Sequence, residues 1–128
     1  MSFFKNIFNS SDEDQGDLGM KWNLLTDLNQ LNSIVDESAE KPVVIFKHST
    51  RCSVSRMALR QFENEFDMED KMSTYFLDLL EYRSISNEIS NRFAVEHQSP
   101  QCLLIRNGKS VYDASHSDIA LEDLKRFI

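Results

Sequence analysis

The stretch PVVIFKHSTRCSVSRMALRQF, residues 42–62, passes from an apolar run into an amphipathic one around a single cysteine. Pro42 opens a short run of β-branched and aromatic residues, which predicts a strand buried on both faces. From Cys52 to Phe66, apolar residues recur among charged ones, which predicts a helix. Cys52 therefore stands where a strand gives way to a helix. Function depends on whether this thiol is a nucleophile or a buried structural residue.

The segments around this stretch extend the alternation of strands and helices. They are, in chain order, a short strand at 22–25, a helix at 26–41 with Thr26 as N-cap, a strand at 72–80, a helix at 84–95, a hairpin at 101–115 and a helix at 116–128 with Ser117 as a possible cap. Asn107-Gly108 is a strong hairpin turn signal. The order β-α-β-α-β-α-β-β-α predicts an α/β fold, with a central mixed sheet flanked by helices and a closing antiparallel hairpin.

The composition argues against two classes of partner. The chain has 128 residues, a length typical of one domain, and a formal net charge of -7 at pH 7. A nucleic-acid binder needs a basic face, so no nucleic-acid partner is expected. No stretch approaches the roughly 18 apolar residues of a membrane span, so no membrane partner is expected either.

Residues 1–19 are predicted to form an N-terminal tail that contains a polar, acidic linker at 9–17, and residues 20–128 to form the folded domain. The segment FFKNIF at 3–8 is either part of a simple tail or a short amphipathic anchor. Its apolar part is too short and broken for a secretory signal. Two cysteines are too few for a disulfide framework, and together these features predict a reducing, cytoplasmic compartment.

Cys52 has the surroundings that thiol chemistry requires. A thiol with the ordinary pKa near 8.5 is only about 3% thiolate at pH 7, whereas free N–H groups at a helix start favour the anion. Arg51 and Arg56 add positive charge. Nearby hydroxyls can donate hydrogen bonds to the sulfur, from Ser49, Thr50, Ser53 and, best placed, Ser55. A buried structural thiol is the alternative, but it suits these polar neighbours poorly. Cys52 and Ser55 are therefore the predicted catalytic residues.

Ser55 stands three residues after Cys52, where a dithiol redox protein has its second cysteine. A single thiol can attack a disulfide and form a mixed disulfide, which a second small thiol then resolves. The pattern C-x-x-S thus favours exchange with a low-molecular-weight thiol. Further along, Ser99-Pro100 before a strand is either an ordinary turn or a cis peptide bond that aims the backbone of Ser99 at a substrate across Cys52.

These residues resemble a known family. The element order, the C-x-x-S helix start and QSP before a strand are similar to the thioredoxin fold. More narrowly, KHSTRCSVS (47–55), HQSPQ (97–101), IRNGK (105–109) and ASHSDI (114–119) resemble the YtxJ family of monothiol bacilliredoxins. The resemblance implies that the protein removes bacillithiol from cysteines of S-thiolated client proteins, with Cys52 as the attacking residue. It also implies that Gln98, Ser99 and Pro100 hold the substrate. Arg51 and Ser53, on either side of Cys52, are further predicted substrate-binding residues.

The active site departs from the family's usual T-C-P-I-S, since this chain has Arg51, Ser53 and Val54 at the varied positions. The loss of the proline frees a backbone N–H and the arginine adds a charge. Both changes favour thiolate and bear on which small thiol is recognised, bacillithiol or a similar one. Cys102 is interpreted as a core residue. The alternative is a distant resolving cysteine, which requires the two Cα atoms to come within about 7 Å.

No metal or cofactor is expected, because the cysteines and histidines form no close ligand pair. Monothiol glutaredoxins can share an iron–sulfur cluster through a similar cysteine, but Ser53 stands where they have glycine. The small thiol is thus expected only as a co-substrate. His48 either tunes Cys52 or has no role, His97 is a weaker candidate for contact with the substrate, and His116 is assigned to the capping region of the last helix.

Two functions of different classes remain open from the sequence. The first is a monothiol thiol-disulfide oxidoreductase that acts on protein mixed disulfides. The second is a non-catalytic, thioredoxin-like module that binds a protein partner, since fold alone does not determine function. The polar, cationic surroundings of Cys52 favour the enzyme.

Overall fold

The computed structural model describes residues 20–68 and 70–127, and the predicted tail with its acidic linker at 1–19 lies outside them. In the described chain a five-stranded sheet forms the centre of the fold. Its strands are β1 (Asn23–Leu24), β2 (Val43–His48), β3 (Ser73–Asp78), β4 (Gln101–Arg106) and β5 (Lys109–Ser115). In the order β1-β3-β2-β4-β5, the first two pairings are parallel and the last two antiparallel. The predicted mixed sheet is confirmed.

Four α-helices flank this sheet within the described residues: α1 (Gln30–Glu37), α2 (Ser53–Glu65), α3 (Arg83–Phe93) and α4 (Leu121–Leu124). Short 3₁₀ turns at His116–Asp118 and Lys125–Phe127 flank α4. The alternation predicted from the sequence is therefore the observed one. None of the helices in the described chain is long and apolar enough to cross a membrane.

Two predicted helix caps are wrong. Thr26 does not cap α1, which begins four residues later, because the Gln30 side chain accepts the backbone N–H groups of Thr26 and Asp27 at 2.7 and 2.9 Å and holds them in a turn. Ser117 does not cap the last helix either. It lies in the 3₁₀ turn, and α4 starts only at Leu121, after Ala120.

The central strand β2 divides two apolar cores by the alternation of its side chains. Val43 and Ile45 face α1 and α3, whereas Val44 and Phe46 face α2 and α4. Every residue of β2 is buried, which confirms the prediction of a strand covered on both faces. The same strand leads directly to Cys52, so the packing of the cores determines where that cysteine lies.

The closing hairpin turns at Asn107 and Gly108, both of which have positive φ, 53° and 76°. Positive φ at both central residues is the backbone of a type I′ turn, which Asn-Gly favours. The predicted hairpin is confirmed. On its other side, β4 pairs antiparallel with β2, with Lys47 opposite Gln101. The end of β2 and the start of β4 therefore lie at one edge of the sheet.

Candidate functional site

Cys52 is the N-cap residue of α2 and is half-buried. Its backbone is extended, with φ -112° and ψ 122°, and its carbonyl accepts the N–H of Arg56 at 3.1 Å. The first N–H groups of a helix have no partner inside the helix, and they give this end a partial positive charge. Cys52 is thus attached at the positive end of the helix dipole.

Positive side chains surround this helix start. Arg51 and Arg56 are both exposed, as is Ser53. The Arg56 guanidinium donates to the Thr50 carbonyl at 3.1 Å, so it also holds the loop that precedes the cysteine. In a chain with a net charge of -7, this loop is a local concentration of positive charge next to Cys52.

The hydroxyl of Ser55 does not make the direct bond to Cys52 that the sequence led us to expect. Ser55 is fully buried, and its Oγ accepts the backbone N–H of Ser49 at 3.0 Å. The same oxygen lies 2.7 Å from Nδ1 of His48. Because these partners lie on the loop and strand before Cys52, Ser55 fastens the first turn of α2 to the end of β2. Its expected catalytic role would thus be exerted through the position of the cysteine.

His48 forms the strand side of this contact. It is buried, and its ring lies against Phe76 at a centroid distance of 5.5 Å. Burial lowers the pKa of His48, the charge of Asp78 raises it and that of Arg56 lowers it, with a net direction downward. The imidazole is therefore neutral at pH 7. It acts here as a hydrogen-bonding group rather than as a cation beside the thiol.

The proline loop lies at the same edge of the sheet. The Ser99-Pro100 peptide bond is cis, Pro100 is buried, and Gln98 and Ser99 are half-buried. The backbone N–H of His116 donates to the Pro100 carbonyl at 2.9 Å. The assignment of His116 to a helix cap is wrong, since this residue closes the turn after β5 onto the proline loop. The register of β2 and β4 thus brings the predicted substrate residues to the cysteine's edge.

Cys102 lies in the middle of the apolar core, with 1% of its surface exposed. Burial, with a smaller contribution from Asp113, raises the pKa of Cys102 to about 12. It stands opposite Phe46 of β2 and shares a cluster with Val44 and Leu104. The interpretation of Cys102 as a core residue is confirmed. A thiol so protected from water and from ionisation is a poor nucleophile in the folded protein.

Sequence reasoning missed Lys47, which is fully buried. Its Nζ lies 3.2 Å from the Ser86 carbonyl, 3.4 Å from Ser90 Oγ and 3.4 Å from His97 Nδ1. Burial lowers the pKa of Lys47 to about 8. A lysine inside the otherwise apolar run PVVIF was the signal that could have identified it, because lysine is almost never fully buried without a partner.

This arrangement provides one nucleophile for sulfur chemistry. Position 55, where a second cysteine would resolve a mixed disulfide, is a buried serine. No three His, Cys, Asp or Glu side chains in residues 20–68 and 70–127 are grouped so that they could hold a metal ion. The geometry is that of a single thiol at a helix start, beside a cis-proline loop.

Comparison with solved structures identifies the fold. A protein described as an inferred oxidoreductase with a thioredoxin fold is 31% identical, with a TM-score of 0.71 over 80% of this chain and 89% of that one. Thioredoxin Mala s 13 of Malassezia sympodialis is 19% identical, with a TM-score of 0.65 over 84% and 87%. Mitochondrial thioredoxin 3 of Saccharomyces cerevisiae is 16% identical, with a TM-score of 0.63 over 84% and 92%.

A family model agrees with the structure and is more specific. Residues 23–124, from β1 to the end of α4, match the model of the monothiol bacilliredoxin BrxC. The match includes the half-buried Cys52, the serine three residues after it and the cis-proline loop. The chain therefore belongs to the monothiol bacilliredoxin family, has the thioredoxin-like α/β fold and has a role in thiol redox chemistry.

Proposed function

We propose that this protein is a monothiol thiol-disulfide oxidoreductase that removes bacillithiol, or a similar low-molecular-weight thiol, from mixed disulfides on client proteins. The observation that carries the proposal is the half-buried Cys52 at the N-cap of α2, with Ser55 at the resolving position and Cys102 enclosed in the core. A thiol at a helix start has the electrostatic support that a thiolate needs.

The reaction consists of two exchanges. The Cys52 thiolate attacks the sulfur of the small thiol, an S–S bond forms between them, and the bond to the client sulfur breaks. The client leaves as a thiolate and takes up a proton from water. A second small thiol, as its thiolate, then attacks the sulfur attached to Cys52. This step releases a symmetric small-molecule disulfide and restores the Cys52 thiolate, so the client sulfur is reduced to a thiol and the second small thiol is oxidised to the disulfide level.

Other residues of the site serve binding and position in this proposal. Arg51 and Ser53 are exposed on either side of Cys52, and the Gln98–Pro100 loop lies at the same edge of the sheet. Ser55 acts through the turn that it fastens. We further infer a reducing, cytoplasmic setting, which the two free cysteines support.

The test is the transfer of bacillithiol from a client to the protein. The full chain is reduced and mixed at pH 7 with a single-cysteine client carrying bacillithiol, and the intact masses are followed with time. We expect one bacillithiol adduct on the wild type and on Cys102→Ser, and a fall of at least about 1,000-fold in client reduction for Cys52→Ser, since nothing replaces the nucleophile.

Three other outcomes would change the assignment. An internal disulfide in the wild type would make Cys102 a resolving cysteine. Transfer from a client carrying another small thiol, but not from one carrying bacillithiol, would move the proposal to that thiol. No transfer from any client, with the fold intact by circular dichroism, would contradict the enzyme and favour the non-catalytic binding module.

A further inference from the structure

The buried polar cluster around Lys47 includes His97, the residue directly before the proline loop Gln98–Pro100. The Lys47 ammonium has three hydrogens, and three acceptors surround it: the Ser86 carbonyl, Ser90 Oγ and His97 Nδ1. It makes no ion pair with a carboxylate in the described chain. A charge that is fully buried without a counter-charge is costly to stability, and a function in the site would explain it.

The bond from Lys47 determines the tautomer of His97. An ammonium can only donate, so the nitrogen that receives its hydrogen bond has to be unprotonated. That nitrogen is Nδ1 of His97, and the Ser86 hydroxyl lies 3.2 Å from the same atom and can donate to it as well. The neutral ring therefore carries its proton on Nε2, the nitrogen on the far side of the ring from the cluster.

His97 extends from this cluster to the surface. Its Nδ1 contacts a fully buried lysine, although the residue as a whole is exposed. The preceding residue is held too, since the buried Gln101 side chain donates to the Glu96 carbonyl at 2.8 Å. The Nε2–H of His97 is thus a donor in a fixed position, directly before Gln98 and the cis Ser99-Pro100 bond.

The charges around His97 indicate which kind of acceptor suits its Nε2–H group. Besides burial, the positive charges of Lys47 and Arg83 lower the pKa of His97 and keep the ring neutral. Arg51 and Arg56 stand beside Cys52 at the same edge of the sheet. A fixed N–H donor among positive side chains suits an anionic acceptor better than a neutral one.

We propose that His97 is a substrate-positioning residue, whose Nε2–H donates a hydrogen bond to a carboxylate of the low-molecular-weight thiol, while Lys47 holds the ring in the required tautomer. This inference rests on the proposed function and adds a residue that positions the small thiol. The preferred mixed disulfides are those whose small thiol carries a carboxylate within reach of the proline loop.

The experiment compares two forms of one single-cysteine client. In one form the cysteine carries 3-mercaptopropionate, and in the other it carries 2-mercaptoethanol, which has no carboxylate. Transfer to Cys52 is measured in single turnovers over a range of client concentrations, with the full-length protein. We expect the wild type to bind the mercaptopropionate form about tenfold more tightly, the value of one charge-assisted hydrogen bond.

Two substitutions of His97 distinguish the roles of its two ring nitrogens. In His97→Asn the amide reaches the Nδ1 position, so the bond to Lys47 is kept and the outward donor is lost. In His97→Gln the amide reaches the Nε2 position and restores a donor. His97→Asn should lose about tenfold in affinity for the mercaptopropionate form and less than about twofold for the mercaptoethanol form, while His97→Gln stays near the wild type.

Nitrogen-15 NMR of the imidazole tests the tautomer directly. In the wild type at pH 7 we expect the shifts of an Nε2–H ring, and in Lys47→Met a move toward a mixture of tautomers. The comparison is made between proteins that circular dichroism shows to be folded, so a difference between the wild type and Lys47→Met reports the effect of Lys47 on the tautomer rather than a loss of structure.

The inference is overturned if the wild type prefers neither form, if His97→Asn slows both forms equally, or if the wild-type ring carries its proton on Nδ1. In all three cases a wild type that still transfers small thiols to Cys52 leaves the proposed function standing. A wild type that accepts neither form and no bacillithiol contradicts the proposed function itself.

Discussion

Two regions of the central sheet are equally buried but differ in polarity: the middle of β2 and β4 is apolar, whereas the edge where β2 ends and β4 begins is polar. In the middle, β2 and β4 contribute only apolar side chains and a thiol, among them Ile45, Phe46 and Cys102. At the edge, the same two strands bury Lys47, His48 and Gln101, joined by Ser55 from α2 and Ser86 from α3. The middle of the sheet contains Cys102, and the edge borders Cys52.

This difference separates stability from function within one fold. The apolar middle stabilises the domain by removing hydrocarbon from water. The polar edge needs a hydrogen bond for each buried group, and one of those groups is a lysine that makes no ion pair in the described chain. Such an edge costs stability, and it holds the loop of Cys52 and the proline loop in place.

The largest contrast is expected in the reactivity of the two thiols. Cys52 is half-buried and reacts from the native state, whereas Cys102 is 1% exposed and has to wait for the protein to unfold. Iodoacetamide at pH 7 should therefore label Cys102 at least about 1,000-fold more slowly than Cys52, as expected for an unfolding free energy of about 5 kcal/mol or more. Peptide mass spectrometry of a time course measures both rates.

Denaturant provides the control for this contrast. In concentrated urea the two cysteines should be labelled at similar rates, because the unfolded chain exposes both. Comparable labelling in the native state would mean that the middle of the sheet opens locally, and would contradict the division into two regions.

A smaller effect is expected when the charge is removed from the edge. The pKa of Lys47 is about 8 in the folded protein, whereas an unperturbed lysine, as in the unfolded chain, has a pKa of 10.5. Between pH 8 and pH 10.5 the unfolded chain therefore binds more protons than the folded protein. The free energy of unfolding of the wild type should therefore rise with pH in this window. Lys47→Met should be more stable than the wild type at pH 7 by roughly 1–3 kcal/mol, and this advantage should fall by roughly 2 kcal/mol at pH 10.

Urea unfolding at pH 7 and pH 10 measures this change, with Lys109→Met as the matched control. Lys109 is exposed in β5, so its replacement should shift the free energy of unfolding by less than about 0.5 kcal/mol at either pH. If Lys47→Met were less stable than the wild type at pH 7, the lysine would be a net stabilising residue and the contrast between the two regions would fail.

An effect of comparable size and opposite sign is expected for the hydroxyl that joins α2 to β2. Ser55→Ala leaves the Ser49 N–H and His48 Nδ1 without their partner, which should reduce the free energy of unfolding by about 1–3 kcal/mol. Loosening of the turn should also slow alkylation of Cys52 by a few-fold. Ser53→Ala, at an exposed neighbour on the same turn, is the control and should change the free energy of unfolding by less than about 0.5 kcal/mol.

Most of the architecture could be predicted, because its signals are local. The apolar run at 43–46 predicted a strand buried on both faces, and Asn107-Gly108 predicted the hairpin, since few other residue pairs accept positive φ at both positions. The helix starts at Thr26 and Ser117 were wrong. There, side-chain and turn contacts specific to this chain replaced the common cap.

The sequence predicted the nucleophile of the site, but not the hydrogen bonds that hold the nucleophile in place. Cys52 was recognisable because polar and cationic residues surround it in the sequence itself. The position of Ser55 was also apparent, but its partners were not, since the hydroxyl turns toward His48 and the backbone of Ser49. No pattern of local spacing shows in which direction a buried hydroxyl points.

The sequence by itself determined the order of the elements, the strand-to-helix passage at Cys52 and the hairpin. All of these follow from periodicity and backbone preferences over a few neighbouring residues. The sequence predicted a core position for Cys102 but left a resolving role open, and only the tertiary structure showed that Cys102 is enclosed and that Lys47 reaches partners 39, 43 and 50 residues away. Such contacts depend on which strands become neighbours and in what register. That choice is made by the packing of the whole core, because no short segment contains both halves of the contact.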